Sequence, residues 1–269
     1  MSYFMQQLAG RWVAGPDLRA AVLACRRANR WGMRGLLNSL GEGYKDLALV
    51  ERETALYLET LEAIRQEHLR AGLSLKLSSL GLGVGKGSCL RNLLRIVHRA
   101  QELGVTVWLD MEGTEQVADT LELYCQAWKQ YGNVAVTLQA NLERSKQDME
   151  DLLKKKARIR LVKGAYAGDA GDWVEKEAIF EKLMRLLFSK GNHFGIATHD
   201  IGLIELAKVL QSRYRREFEF QLLKGVKEQL AERLVREGHQ VAQYIPFGRQ
   251  QLPYVWRRLK EHGLHLFRC

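Results

Sequence analysis

Short runs of β-branched and aliphatic residues alternate eight times along this chain with longer segments of helical spacing, and no other feature constrains the fold as strongly. The runs are GMRGLL near 32–37, LSLKLS near 73–78, VTVWLD at 105–110, VAVTLQ at 134–139, IRLV at 159–162, FGIAT at 194–198, FEFQLL at 218–223 and QVAQYI at 240–245. Between them lie amphipathic stretches at 51–71, 88–103, 114–131, 143–156, 173–191, 201–213 and 226–237, and a last one at about 250–262 follows the eighth run. Parallel neighbours in a sheet need a crossover between them, and a helix of a dozen residues supplies it. Eight such units with short connections, no Pro- or Gly-rich linker and no shift in composition predict a closed (β/α)8 barrel rather than an open doubly wound sheet. The expectation is an α/β TIM-type barrel forming a single domain over 1–269, close to the usual size of about 250 residues for that fold. Helical turns at 18–30 precede the first run, either closing the bottom of the barrel or packing outside it.

Composition narrows the surroundings. With 46% hydrophobic and 27% charged residues the chain has the balance of a soluble globular protein with a substantial core. It holds no apolar run near the length of about eighteen residues that a membrane span needs, and no secretory signal pattern, so a cytoplasmic protein is expected. The four cysteines, Cys25, Cys89, Cys125 and Cys269, are scattered without a Cys-x-x-Cys pair, which argues for reduced thiols rather than a zinc site or a disulfide framework. A formal net charge of +10 favours anionic partners such as cofactor phosphates or acidic lipid headgroups. No nucleic-acid-binding module accompanies it, so the basic residues read as solvated helix faces and no nucleic-acid partner is expected.

In a barrel of this kind the active site is built at the carboxyl ends of the strands. Those ends read Lys76, Asp110 with Glu112, Gln139, Arg160 with Lys163, His199 after Thr198, Gln221 and Tyr244. One such residue could simply solvate a loop; seven strand ends aiming polar groups into one mouth point to a binding site. RLVKGAY, 160–166, joins two cations to Gly164, a set suited to a flavin or phosphate group. Arg160 sits inside its strand, where alternation turns it to the barrel interior or the helix layer, and Asp110 or a cofactor would balance it. Tyr254, Arg257 and Arg258, spaced i, i+3 and i+4, share one helix face, and paired guanidiniums suit a small carboxylate; a solvated basic helix end is the alternative. His199 and Asp200 lack a second histidine or a carboxylate cluster at ligand spacing, so no metal site is expected. GLGVGKGS, 81–88, lacks the spacing of a phosphate loop and reads as a mobile loop, and no GxGxxG nicotinamide fingerprint joins an early strand to its helix.

Taken in order, WVAGPDLRAAVLACRRANRWGMRGLLNSLGE, LSLKLSSLG, VWLDMEG, LQA, RLVKGAY, ATHD, FEFQLLKG and YIPFGRQQLPYVWRRLKE resemble the proline dehydrogenase family, FAD-dependent barrels found alone and in bifunctional proline-utilisation flavoproteins. The resemblance implies oxidation of L-proline to 1-pyrroline-5-carboxylate, with a hydride delivered to N5 of FAD and electrons passed on to a membrane quinone. It implies that Arg257 and Arg258 clamp the substrate carboxylate and that Lys76, Asp110, Tyr166, Tyr244 and Tyr254 line the pocket, with Lys76, Asp110 and Tyr254 nearest the chemistry. It further implies that Asp110, Gln139, Arg160, Lys163, Gly164, Thr198, His199 and Glu261 contact or order the FAD. The basic surface would help the protein visit the inner face of an anionic bilayer as a peripheral partner.

Three positions depart from the family pattern as it stands in this sequence. Ala167 follows KGAY where a bulkier residue is usual, Asp200 replaces an asparagine, and Lys224 replaces an aromatic residue or histidine before a glycine. The first is expected to loosen a wall of the flavin site and the second to place negative charge near the FAD phosphates. The alternatives are a relative acting on hydroxyproline or another cyclic or N-alkyl amino acid, and a non-catalytic barrel that retains ligand or flavin binding.

Overall fold

The computed structural model describes residues 10–170 and 173–262, apart from the side chains of 173–175 and 260–262. Its strands are β1 (Arg34–Ser39), β2 (Ala71–Leu75), β3 (Val107–Leu109), β4 (Val134–Gln139), β5 (Ile159–Val162), β6 (His193–Ala197), β7 (Glu217–Leu223) and β8 (Val241–Phe247). All pair in parallel with their sequence neighbours, and β1 closes on β8 through a register from Arg34 opposite Ala242 to Ser39 opposite Phe247. The predicted (β/α)8 barrel is therefore the observed fold.

The helices are α1 (Leu18–Arg30), α2 (Leu47–Gln66), α3 (Lys86–Glu102), α4 (Val117–Gln130), α5 (Ser145–Lys154), α6 (Trp173–Lys190), α7 (Ile201–Tyr214), α8 (Glu228–Arg236) and α9 (Leu252–His262). Three begin at an aspartate whose carboxylate accepts a first-turn backbone N–H: Asp17 from Ala20, Asp46 from Ala48 and Asp200 from Leu203. The main core lies between strands and helices, where outward residues such as Leu37, Leu73, Val136 and Ile196 meet Leu61, Leu93, Leu123 and Phe188. A second, interior cluster of Leu36, Trp108, Ala135 and Ala242 fills the barrel itself.

Several boundaries differ from the sequence pattern. The first strand begins two residues after the start of GMRGLL because Gly32 takes a left-handed turn (φ 84°) out of α1. The second stops at Leu75; Lys76 leaves it, and Leu77–Leu80 wind into a single tight turn. The helix expected at 51–71 instead starts at Leu47, where Asp46 caps it, and ends at Gln66. GLGVGKGS is a helix entry rather than a loop: Gly81 ends the preceding turn in a left-handed conformation, and Lys86–Ser88 form the first turn of α3.

Helix α1 packs outside the barrel against β1 and β8, with Cys25 seated over Gly35. Burial there pushes the Cys25 thiol up to about 12, which keeps it protonated and inert. Because α1 covers that outer groove, α9 goes elsewhere. Its Tyr254 and Val255 cluster with Trp12, Val13, Leu40 and Val226, residues near the strand ends, so α9 lies across the mouth.

Candidate active site

Inside the barrel, alternation along each strand turns every second residue inward. Arg160 on β5 is one of these and is 3% exposed. Its Nε donates to Thr137 Oγ1 at 2.9 Å, Nη1 to Gln221 Oε1 at 3.1 Å, and Nη2 to both Ser74 Oγ at 3.0 Å and Asp110 Oδ1. The guanidinium lies beside the Trp108 and Tyr244 rings, 5.3 and 5.8 Å from their centroids. Asp110 also accepts from Ser74 Oγ at 2.8 Å and, through Oδ2, from Tyr244 Oη at 2.7 Å. Of the two partners the sequence leaves open for Arg160, Asp110 or a cofactor, Asp110 pairs with it in the structure. Burial, reinforced by the Asp110 charge, raises the Tyr244 phenol well above its ordinary value, so it remains a hydrogen-bond donor.

A second group forms under α9. Arg257 holds Glu42 in a two-pronged ion pair, Nη1 to Oε1 at 2.7 Å and Nη2 to Oε2 at 2.8 Å. Its guanidinium lies 5.0 Å from the centroid of the Tyr166 ring, and Tyr166 Oη donates to Glu42 Oε2 at 3.1 Å. Burial opposes charge on Glu42, yet the hydrogen bond and charge of Arg257 outweigh it and hold that carboxyl below its usual range. Arg258 is 7% exposed and its guanidinium lies 5.4 Å from the centroid of the Tyr254 ring. Both arginines and both tyrosines therefore sit on the mouth side of α9 or opposite it, as the i, i+3, i+4 spacing suggested.

Lys76, 6% exposed, stands just past β2. Its charge favours the ionised forms of Glu42, Glu53 and Glu112, three acids from different elements. Burial is the larger influence on Glu53 and Glu112 and raises both. Glu112 accepts from the backbone N–H and the hydroxyl of Ser78, and Gln139 Nε2 donates to the Glu112 carbonyl at 2.9 Å.

The connection after β5 is moulded by Asn141, which follows β4. Asn141 Nδ2 donates to the Tyr166 carbonyl at 2.8 Å, its N–H to the Lys163 carbonyl, and its carbonyl accepts from Ala170. Gly164 (φ 120°) presses on the Asn141 amide so closely that a Cβ would collide with it. Lys163 pairs with Glu177 at 2.8 Å and with Asp200 at 3.7 Å. Thr198 Oγ1 accepts from the Asp200 N–H and His199 Nε2 from the Leu223 N–H, both at 3.1 Å. The side chain of Glu261 lies outside the described residues.

The structure gives two of the three family departures a local role. Asp200 caps α7 while its charge faces Lys163, and Lys224 Nζ donates to the Arg11 carbonyl at 2.9 Å, fastening the segment that precedes α1. Ala167 is exposed. Sequence reading passed over Glu42, Ser74, Trp108 and Asn141. Glu42 follows the first strand, which runs two residues beyond the aliphatic run GMRGLL, so the pattern marks no polar residue at that end. Ser74, Trp108 and Asn141 look ordinary in isolation and gain meaning only through partners distant in the chain. Among the described residues no group of three or more His, Cys, Asp or Glu is placed to hold a metal ion, and no helix is long and apolar enough to cross a membrane.

Comparison with known proteins adds the following. Residues 21–265 match the family model described as proline dehydrogenase. The chain is 33% identical over 264 residues to proline dehydrogenase 1 of Bacillus subtilis subsp. natto, covering 94% of this chain and 86% of that protein. It is 34% identical over 269 residues to a proline dehydrogenase of Deinococcus radiodurans, covering 96% and 87%. In structure it resembles proline utilization A from Bdellovibrio bacteriovorus inactivated by N-propargylglycine, with a TM-score of 0.89 and 19% identity. That superposition covers 96% of this chain and 33% of the larger one, a likeness of fold.

Proposed function

The chain belongs to the proline dehydrogenase family, whose members are flavin-dependent oxidoreductases, and on that premise we propose that it oxidises L-proline to 1-pyrroline-5-carboxylate with FAD as the bound cofactor and a quinone as the final acceptor. The observation that carries this reading is the pairing of a buried, fully braced cation with a separate carboxylate clamp at one barrel mouth. Arg160 uses four of its N–H groups on protein acceptors, and a guanidinium has five, so one donor is left for a ligand beside it. Gln139, Lys163, Thr198 and His199 stand at the ends of β4, β5 and β6 and offer donors and charge for the polar edge and phosphates of a flavin dinucleotide, with Gly164 letting the backbone approach closely. When bound, FAD supplies the two-electron acceptor at N5.

The chain's own residues do the rest by position and electrostatics. Arg257 and Arg258 present two planar cations to the substrate carboxylate, and Lys76 adds a third charge from the end of β2. Tyr166, Tyr244 and Tyr254 close the pocket around an apolar ring and exclude water. Asp110 holds Tyr244 and Arg160 in place and touches the pocket itself. The amine must be neutral for its neighbouring carbon to give up a hydride, so its proton passes to solvent before that carbon–hydrogen bond breaks. The net charge of +10 supports approach to an anionic membrane where a quinone would be met.

The deciding experiment is a visible spectrum of the purified protein before and after L-proline is added without oxygen. Bleaching of a flavin spectrum is expected. A flavin that stays oxidised with L-proline and is reduced by hydroxyproline would move the substrate assignment; one that no cyclic amino acid reduces would leave a binding barrel.

A further inference from the structure

Two residues on β7 are buried inside the barrel beside Arg160, and we infer that Glu219 and Gln221 are positioning residues that fix its orientation. The inference rests on the reading that Arg160 faces the flavin. Two apart on one strand, both side chains point into the barrel, 1% and 4% exposed. Gln221 Nε2 donates to Glu219 Oε1 at 2.7 Å, and Gln221 Oε1 accepts from Arg160 Nη1 at 3.1 Å.

The amide has a donating end and an accepting end, and nothing in its own shape selects which faces the arginine. A carboxylate can only accept. Glu219 therefore takes the NH2 end and turns the carbonyl towards Arg160; the flipped amide would set donor against donor at the guanidinium and acceptor against acceptor at the carboxylate. Arg34 Nη1 lies 3.4 Å from the Glu219 carboxylate, so that carboxylate is not a lone buried group. His193 is the other titratable neighbour that responds to the Glu219 charge.

Space for this arrangement is made on the adjacent strand. A Cβ on Gly195 would lie 2.6 Å from Gln221 Nε2, so β6 carries a glycine where the amide passes. The result is a continuous line, Arg34–Glu219–Gln221–Arg160–Asp110–Tyr244, running from the amino-terminal end of the barrel to the pocket. Each member is held by the one below it, and the free N–H of Arg160 inherits its direction from Glu219.

The test uses the purified full chain and three variants, Glu219→Met, Glu219→Gln and Gln221→Met. FAD affinity is read by titrating the apoprotein, the flavin midpoint potential by dye equilibration, and the maximal anaerobic reduction rate by proline separately from the proline concentration at half-maximum. Glu219→Met and Gln221→Met should slow maximal reduction by about 10- to 100-fold, with the half-maximal proline concentration changing less than about threefold, and should shift the flavin potential. Glu219→Gln, whose carbonyl can still receive Gln221 Nε2, should recover the rate to within about threefold of the parent. Wild-type potential, FAD affinity and rate in Glu219→Met would overturn the inference, as would a Glu219→Gln variant as impaired as Glu219→Met. If Glu219→Met does not fold, Gln221→Met carries the same decision. Failure of the parent protein to bind FAD or be reduced would instead overturn the flavin reading, before any variant is compared.

Discussion

Arg257 reaches the barrel mouth already engaged with Glu42 and Tyr166, so the substrate carboxylate proposed to bind there would meet a guanidinium already oriented by both. Arg258 has a different environment, buried against Tyr254. Replacing either arginine by Met should raise the apparent KM for proline at least tenfold, about 1.4 kcal/mol of binding per factor of ten, while flavin content stays near normal. Steady-state kinetics with flavin quantified by absorbance checks this, and unchanged KM in both variants would remove the clamp from the account. Asp110→Ala leaves Arg160 with one acceptor fewer and Tyr244 without one, so activity should drop strongly; full activity would mean the network around Arg160 is dispensable.

At the scale of elements, the strand and helix rhythm was legible because each unit carries its own period. The eight runs fall on the eight strands, and the short connections leave little freedom in their order. Strand-end chemistry was legible for the same reason: Lys76, Asp110, Gln139 and Lys163 follow directly from knowing where each run stops. The interior line was not. Ser74 and Arg160 are separated by 86 positions and become neighbours only when the barrel closes, and a serine within an aliphatic run gives no sign of that role. The connection after β5 offers a test at this scale. Gly164→Ala would impose both a Cβ collision with Asn141 and a backbone angle that side chains rarely adopt, at a cost of about 1–3 kcal/mol. A lower melting temperature together with reduced flavin content is expected; a variant with the parent's flavin content would show that this loop does not shape the cofactor site.

For the whole molecule, two carboxyl groups near the mouth, the half-buried Glu42 and the buried Glu112, act on stability with opposite sign. Glu42 titrates below its unfolded value, so its contribution is present above about pH 4.5 and is lost as pH falls through the folded value. Glu112 titrates above its unfolded value because of burial, so its contribution is greatest below about pH 4.5 and is lost as pH rises through the folded value. Glu112→Gln should therefore flatten the fall in unfolding free energy on the neutral side of pH 4.5, and Glu42→Gln should flatten the fall on the acid side. Urea unfolding of parent and variants from about pH 2.5 to 7 measures both slopes; parallel curves for parent and Glu112→Gln would contradict the first. The placement of α1 against β1 and β8, with α9 laid over the opening, has a wider consequence. The wall of the barrel is complete without its final helix, so the two arginines proposed to grip the substrate ride on a cover rather than on a stave. A change in that cover would alter the proposed grip on the substrate and leave the staves as they are.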